Sequence, residues 1–325
     1  MRLRRLGTTD LEIAPLVLGG NVFGWTADKA ASFAILDAFL EAGFNAIDTA
    51  DVYNRFAPGL KGGESETVIG EWMKDRGVRA RIVLITKGGL EMGAGMAGLG
   101  REYLPRACEA SLRRLQTDYI DVYMAHRADP QVPVEETLLT LGKLAELGKI
   151  RYAGCSNYTP DELLAALAAS ARGLARYQLV EPHYNLIERS QYEGRLESIC
   201  LDHGLGVIAY YALAGGFLTG KYRSRESLAG SPRIRTLSEY LNPRGLRLLD
   251  VLDAVAARRG ATPAQIALAW LMARPSVAAP IASATSTGQL AEILKSIHLE
   301  LTNEDLATLD SLAGAAAAAQ PGPLK

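Results

Sequence analysis

Cysteine is scarce in this chain of 325 residues: only Cys108, Cys155 and Cys200 occur. No two lie at the spacing of a zinc knuckle or a redox pair, so a disulfide framework is excluded and the three read as buried reduced thiols. Charge of one sign is also lacking. Lys and Arg total 35 against 36 Asp and Glu, a net charge of -1, which gives no electrostatic case for nucleic acid as a partner. No apolar run reaches the roughly 18 residues of a membrane span, and the basic start MRLRRLGTTDLEI has no apolar stretch behind it. No membrane association is therefore expected, and the cytoplasm is the expected compartment. The glycine fingerprint GxGxxG is missing after the first apolar segment, where the chain reads LGGNVFG, which argues against a doubly wound dinucleotide-binding sheet. His126, in HRADPQVP, has no neighbouring ligand set, so no metal is expected.

What remains is the balance of a globular protein, 48% hydrophobic and 22% charged residues. Short apolar runs alternate with longer amphipathic ones. Strands are predicted at Leu16 to Leu18, Asn45 to Asp48, Ile82 to Thr86, Tyr119 to Tyr123, Tyr152 to Cys155, Tyr177 to Val180 and Val207 to Tyr210. Between them, Leu104, Cys108, Ser111, Leu112 and Leu115 share one face of a helix. Thr159-Pro160 with Glu162, and Thr262-Pro263 with Gln265, combine an N-cap, a first-turn proline and a capping-box partner, predicting helices over 160–170 and 263–273. Gly204 stops the helix before the strand at Val207. The segments flanking Gly7-Thr8-Thr9-Asp10 predict a hairpin plugging one end. The fold expected is α/β: a (β/α)8 TIM barrel with an N-terminal β-hairpin, a long loop at 213–243 after strand 7, and a C-terminal helix carrying Leu301, Leu306, Leu309 and Leu312. Residues 1–313 form one domain, and 314–325 read as a flexible tail.

Four groups suited to one reaction stand at or just beyond strand ends: Asp48 and Tyr53 in IDTADVY, Lys87 in IVLITKGG, and His126 in IDVYMAH. A tyrosine is a poor acid at neutral pH, but an adjacent ammonium favours its phenolate. Lys87 suits that role, and Asp48 suits the task of keeping Lys87 protonated. His126 offers a donor to a carbonyl oxygen or a partner for the tyrosine proton. Such a set protonates a developing alkoxide without a metal. It supplies no hydride of its own, so carbonyl reduction, or the reverse oxidation of an alcohol, requires a cofactor such as a nicotinamide.

Successive blocks, LGTTDLEIAPLVLGG, GFNAIDTADVY, GGESETVIGEWM, VLITKGG, ACEASLRRLQTDYIDVYMAH and GKIRYAGCSNY, resemble the aldo-keto reductase family over nearly the whole length. The resemblance implies a (β/α)8 barrel binding NAD(H) or NADP(H). It implies Tyr53 as acid and base, Lys87 lowering its pKa, Asp48 supporting Lys87, and His126 orienting the carbonyl. It further implies that Ser156 and Asn157 hold the nicotinamide amide, with Gln178 nearby, and that Tyr210 stacks on its ring. Leu213, Gly215 and Phe217 would shape the pyrophosphate loop, with Lys221 adding charge, and Ser283, Thr285, Gln289 and Glu292 would meet the adenosine end.

Two segments depart from the family pattern. Tyr210-Tyr211-Ala212-Leu213 stands where relatives often have Tyr-Ser-Pro-Leu. In PIASATSTGQLAEI, Ser283 takes a usual glycine position and Ile293 a usual asparagine. No Arg or Lys lies between Ala282 and Glu292 to grip a 2'-phosphate, which tilts the expectation toward NAD(H). Trp25 and Phe56 are expected as pocket walls, and Trp72 as a core residue. The expected substrate is a small-molecule carbonyl or alcohol. A sugar or secondary-alcohol dehydrogenase, and a cofactor-binding redox-sensing subunit with slow turnover, are the alternative readings. Monomer and homo-oligomer both stay open.

Overall fold

The computed structural model describes residues 1–231 and 233–311. Expectations for Leu312, Ala313 and the tail at 314–325 lie outside the described residues. Two short antiparallel strands, β1 (Arg4–Arg5) and β2 (Glu12–Ile13), form the N-terminal hairpin. Eight parallel strands follow: β3 (Val17–Gly19), β4 (Ala46–Asp48), β5 (Val83–Gly88), β6 (Ile120–Ala125), β7 (Ile150–Ser156), β8 (Tyr177–Glu181), β9 (Gly206–Ala209) and β10 (Ala279–Ala282). They close into a barrel in which β10 pairs with both β3 and β9. The expected TIM barrel is therefore the observed fold.

Alternation along each strand builds two cores. Side chains of one parity, including Val17, Ala46, Ile85, Met124, Leu179 and Ile208, fill the barrel. Those of the other parity pack against the surrounding helices. Leu6, Leu11 and Ile13 of the hairpin join the interior cluster, so the hairpin plugs the N-terminal mouth, called the bottom below. Gly7 makes this approach possible. It has a φ of +58°, and a Cβ there would lie 2.5 Å from the Gly206 nitrogen.

The local signals act as expected at the helices. Thr159 and Thr262 each complete a capping box, opening helices Pro160–Ser170 and Pro263–Met272. Leu104, Cys108, Ser111, Leu112 and Leu115 are buried along helix Leu104–Leu115. The final helix, Asn303–Asp310, is capped by Thr302 and buries Leu309. The long loop expected after β9 carries 3-10 turns at Ala214–Thr219 and Glu226–Leu228 and helix Ile234–Tyr240, before helix Pro243–Arg259 begins. Its buried Phe217, Leu228, Leu237 and Tyr240 give it a packed underside, a pattern too short in each turn to show as periodicity. Among the described residues no helix is long and apolar enough to cross a membrane.

Candidate active site

The interior parity that places apolar side chains in the barrel delivers polar ones at its C-terminal mouth, the top. One step of two beyond Ala46, Ile85 and Met124 come Asp48, Lys87 and His126; beyond Leu179 and Ile208 come Glu181 and Tyr210. Tyr53 reaches the same point from the loop after β4.

Lys87 is fully buried and its three hydrogens are all engaged. Nζ donates to Asp48 Oδ1 at 2.6 Å, to Tyr53 Oη at 2.8 Å and to the Thr49 carbonyl at 3.1 Å. Tyr53 Oη donates to Asp48 Oδ2 at 3.0 Å. Burial alone would strip the proton from Lys87, but Asp48, Glu181 and Tyr53 together hold its pKa well above the usual lysine value. Desolvation raises the Asp48 carboxyl itself against the pull of Lys87. For Tyr53, Lys87 acts against two larger opposing effects. Lys87 favours the phenolate, but burial and then the charge of Asp48 outweigh it and raise the phenol well above its ordinary value. At neutral pH Tyr53 is a phenol with its proton in place.

His126 meets Tyr53 edge to face, with ring centroids 6.2 Å apart. Burial first, then Lys87 and Arg127, push its imidazole well below the usual histidine range, so it is neutral. Its buried Nδ1 has no partner among the described residues.

The expected cofactor contacts divide into those that gather here and those that do not. Asn157 Nδ2 donates to the His126 carbonyl and to Ser156 Oγ, both at 3.0 Å, and Asn157 Oδ1 accepts from Tyr210 Oη at 2.6 Å. Ser156 Oγ donates to the Glu181 carbonyl at 2.9 Å. Tyr210 stacks its ring on His183 with centroids 5.2 Å apart. Leu213 and Gly215 begin the loop after β9, with Gly215 at a φ of +67° and its carbonyl accepting from Arg233 at 3.3 Å. Lys221 is exposed, its Nζ 4.8 Å above the Tyr222 ring. On the last strand's exit, Ser283 Oγ donates to Asn21 Oδ1 at 2.8 Å, while Gln289 Oε1 accepts from both Thr285 N and Thr285 Oγ1. Glu292 Oε1 is engaged by Thr262 Oγ1 at 2.9 Å.

Gln178 departs from its expected place. It lies at the bottom, where its Oε1 accepts from Thr8 Oγ1 at 2.8 Å and from Arg176 at 3.0 Å. As the second residue of β8 it lies near the strand's N-terminal end, and a bulge there sets the face it takes. Ala153 pairs with Tyr177 but the next residue, Gly154, pairs with Leu179, so Gln178 is an extra residue that flips the parity of its strand. The residue of β8 that reaches the top is Glu181. It is 2% exposed, its Oε1 lies 3.3 Å from Lys87 Nζ, and its Oε2 is unpartnered among the described residues. Sequence reasoning missed it by ending the strand at Val180.

Backbone strain concentrates on these loops. Asn54, Asn157, Tyr211 and Ala214, all on top loops, are non-glycine residues with positive φ of 73°, 58°, 59° and 49°. Trp25 is half-buried, whereas Phe56 is 84% exposed, which leaves it without the packing of a formed pocket wall. Trp72 is fully buried and donates to Asp37 at 2.8 Å, a structural residue as expected. Among the described residues no cluster of His, Cys, Asp and Glu is arranged to hold a metal ion.

The sequence is similar to known proteins along its length. A model of the Aldo/keto reductase family matches residues 15–313. An uncharacterized oxidoreductase, YrpG, of Bacillus subtilis (strain 168) is 32% identical over 320 residues, covering 96% of each chain. Protein tas of Escherichia coli (strain K12) is 31% identical over 339 residues, covering 96% of this chain and 97% of its own. A probable voltage-gated potassium channel subunit beta of Oryza sativa subsp. japonica is 32% identical over 312 residues, 92% of each. With such agreement running through the barrel and both of its mouths, the chain belongs to the aldo/keto reductase family of oxidoreductases.

Proposed function

We propose that the protein reduces an aldehyde or ketone to an alcohol, using a nicotinamide cofactor and Tyr53 as the general acid. The observation that carries this reading is the placement of Tyr53 Oη, 2.8 Å from the charged Lys87 and 3.0 Å from Asp48, with the neutral His126 ring beside it. A carbonyl oxygen seated between Tyr53 and His126 meets two neutral donors. The hydroxyl hydrogen of Tyr53 rotates freely about its C–O bond, so it turns from Asp48 toward the alkoxide as charge develops there. Lys87 then stabilises the phenolate left behind from its fully buried position, where its charge acts strongly.

The residues at the mouth fit a nicotinamide. Ser156, Asn157 and the unpartnered Glu181 Oε2 supply hydrogen-bonding atoms for a planar amide, and Tyr210 supplies a flat face. When bound, that group supplies the hydride for the carbonyl carbon. The same four groups serve the reverse oxidation of an alcohol, with the direction set by the concentrations of substrate and cofactor. NAD(H) is favoured over NADP(H), since Ala282 to Glu292 contains no cation and Gln289 is occupied by Thr285.

The test is a panel of aldehydes, ketones, aldoses and secondary alcohols followed at the nicotinamide absorbance with each cofactor. Turnover of carbonyls with NADH at least as good as with NADPH is expected. A strong NADPH preference would overturn the cofactor choice. Tight cofactor binding with no turnover of any carbonyl would favour a slow redox-sensing subunit instead.

A further inference from the structure

Lys87 is flanked by two buried carboxyl groups, not one. Asp48 takes one of its hydrogens at 2.6 Å. Glu181 Oε1 stands 3.3 Å from the same ammonium, with its carboxyl beside that of Asp48. Because the Lys87 hydrogens go to Asp48, Tyr53 and the Thr49 carbonyl, none is left for Glu181. One cation thus faces two acids, and both acids are 2% exposed or less. Two carboxylates in so dry a place do not both ionise easily beside one charge. The second Glu181 oxygen, buried and unpartnered, sits on the residue whose carbonyl anchors Ser156 and Asn157.

We infer that Glu181 is a charge-setting residue of the site, a carboxyl that keeps its proton when the mouth is empty or holds reduced nicotinamide, and releases it to solvent when the positively charged oxidised ring binds. The inference rests on the nicotinamide reading above. Its chemistry is a simple ionisation: the Glu181 O–H bond breaks, the electron pair stays on the carboxylate, and buffer takes the proton. Nothing is oxidised or reduced in that step. The consequence is that the oxidised cofactor is held in proportion to how readily Glu181 ionises, so product release after carbonyl reduction becomes faster as the pH falls.

The groups facing Glu181 come from every neighbouring strand: Asp48, Tyr53, Lys87, Cys155 and Tyr210. Burial first, and then the charge of Asp48, push the Glu181 carboxyl up to about 8, with Lys87 opposing. Tyr53, Cys155 and Tyr210 are all shifted upward by burial and stay neutral across the same range. Asp48 shares the cluster, so its variant serves as the control.

The experiment measures the affinity of the whole protein for NAD+, NADH and ADP-ribose by calorimetry from pH 6 to pH 9, in buffers of different ionisation enthalpy. Affinity for NAD+ should rise by up to about tenfold per pH unit below pH 8 and level off above it, with proton release into the buffer. NADH and ADP-ribose should give flat profiles. In Glu181→Gln the NAD+ profile should flatten too, while in Asp48→Asn a slope should persist. Equal slopes for NAD+ and NADH in the unaltered protein, or an unchanged NAD+ slope in Glu181→Gln, would overturn the inference. Because the contrast between NAD+ and NADH needs no variant, the inference remains testable even if Glu181→Gln does not fold. Failure of all three ligands to bind would sink the nicotinamide reading itself.

Discussion

The top and bottom of the barrel are both rich in polar side chains, and they use them oppositely. At the bottom, polar groups are matched. Arg4 donates to the carbonyls of Met272, Val277 and Ala278. Asp121, 2% exposed, accepts from Arg79 at 2.8 Å, from Arg151 at 2.7 Å and from the Leu84 amide at 2.9 Å. Arg274 Nε lacks a partner among the described residues, but its guanidinium is held by Asp310 at 2.5 Å. At the top, buried atoms of Asp51, His126, Glu181 and His183 have no partner among the described residues. Burying polar atoms unpaired is costly, so a folded chain keeps them where a ligand or a proton is to meet them. At the top, unpaired atoms of His126 and Glu181 thus adjoin the fully bonded Asp48, Lys87 and Tyr53.

The largest effect expected from that contrast falls on turnover at the top. Tyr53→Phe removes one hydroxyl and should cut carbonyl reduction by about a thousandfold, the scale of a lost general acid, while cofactor affinity and the unfolding midpoint change little. Its steady-state rate and urea melt, measured together, check this. A turnover within tenfold of the unaltered protein would remove Tyr53 from the reaction and weaken the distinction between the two ends.

The converse applies to Asp121. Replacing it with Asn leaves Arg79 and Arg151 without their shared carboxylate, a loss of about 2–3 kcal/mol for a partly buried network. Turnover per folded molecule should hold. Denaturant unfolding beside an active-site titration reads both quantities, and a large drop in turnover with unchanged stability would show that the bottom is not merely structural.

A smaller effect with a definite sign is expected at Asp51. Burial, and next the charge of Glu66, raise its carboxyl from 3.8 to about 8. The folded protein then holds a proton that the unfolded chain gives up between about pH 4 and pH 8. Stability contributed by this group therefore declines as pH rises through that window and levels off above it. Asp51→Asn should be the more stable of the two at pH 9, with the gap closing near pH 4. Melts across pH that run parallel for the two proteins would refute the assignment.

Much of this contrast was legible in the chain, and what was not has identifiable causes. Asp48, Lys87 and His126 are polar residues ending apolar runs, and alternation carries them to the same mouth. Capping boxes at Thr159 and Thr262 set helix starts because their chemistry is local. The balance of charge on Tyr53 was not legible, since it depends on how deeply Tyr53, Asp48 and Glu181 are buried together. Nor was the helical content of the loop after β9, whose order comes from Phe217 and Tyr240 packing against each other at 5.5 Å.

Gln178 and Glu181 isolate the point where alternation fails. In YQLVE a strict period of two aligns Tyr177, Leu179 and Glu181 on one face, yet Tyr177 belongs to the outer core, bonded to Tyr158 Oη at 2.9 Å, while Leu179 belongs to the inner. Only the extra residue at Gln178 reconciles them, and a bulge has no signature in five residues of mixed polarity. Substituting Gln178 with Leu should therefore cost only the matched contact to Thr8 and Arg176, about 0.5–1 kcal/mol, and leave nicotinamide affinity within about twofold, since a change below about 0.4 kcal/mol is all that distance allows. Fluorescence titration with NADH checks the second value. A tenfold loss of affinity would mean that the bulge transmits strain along β8 to Glu181, and the two ends of the barrel would then be one coupled system instead of a matched base beneath an unsatisfied mouth.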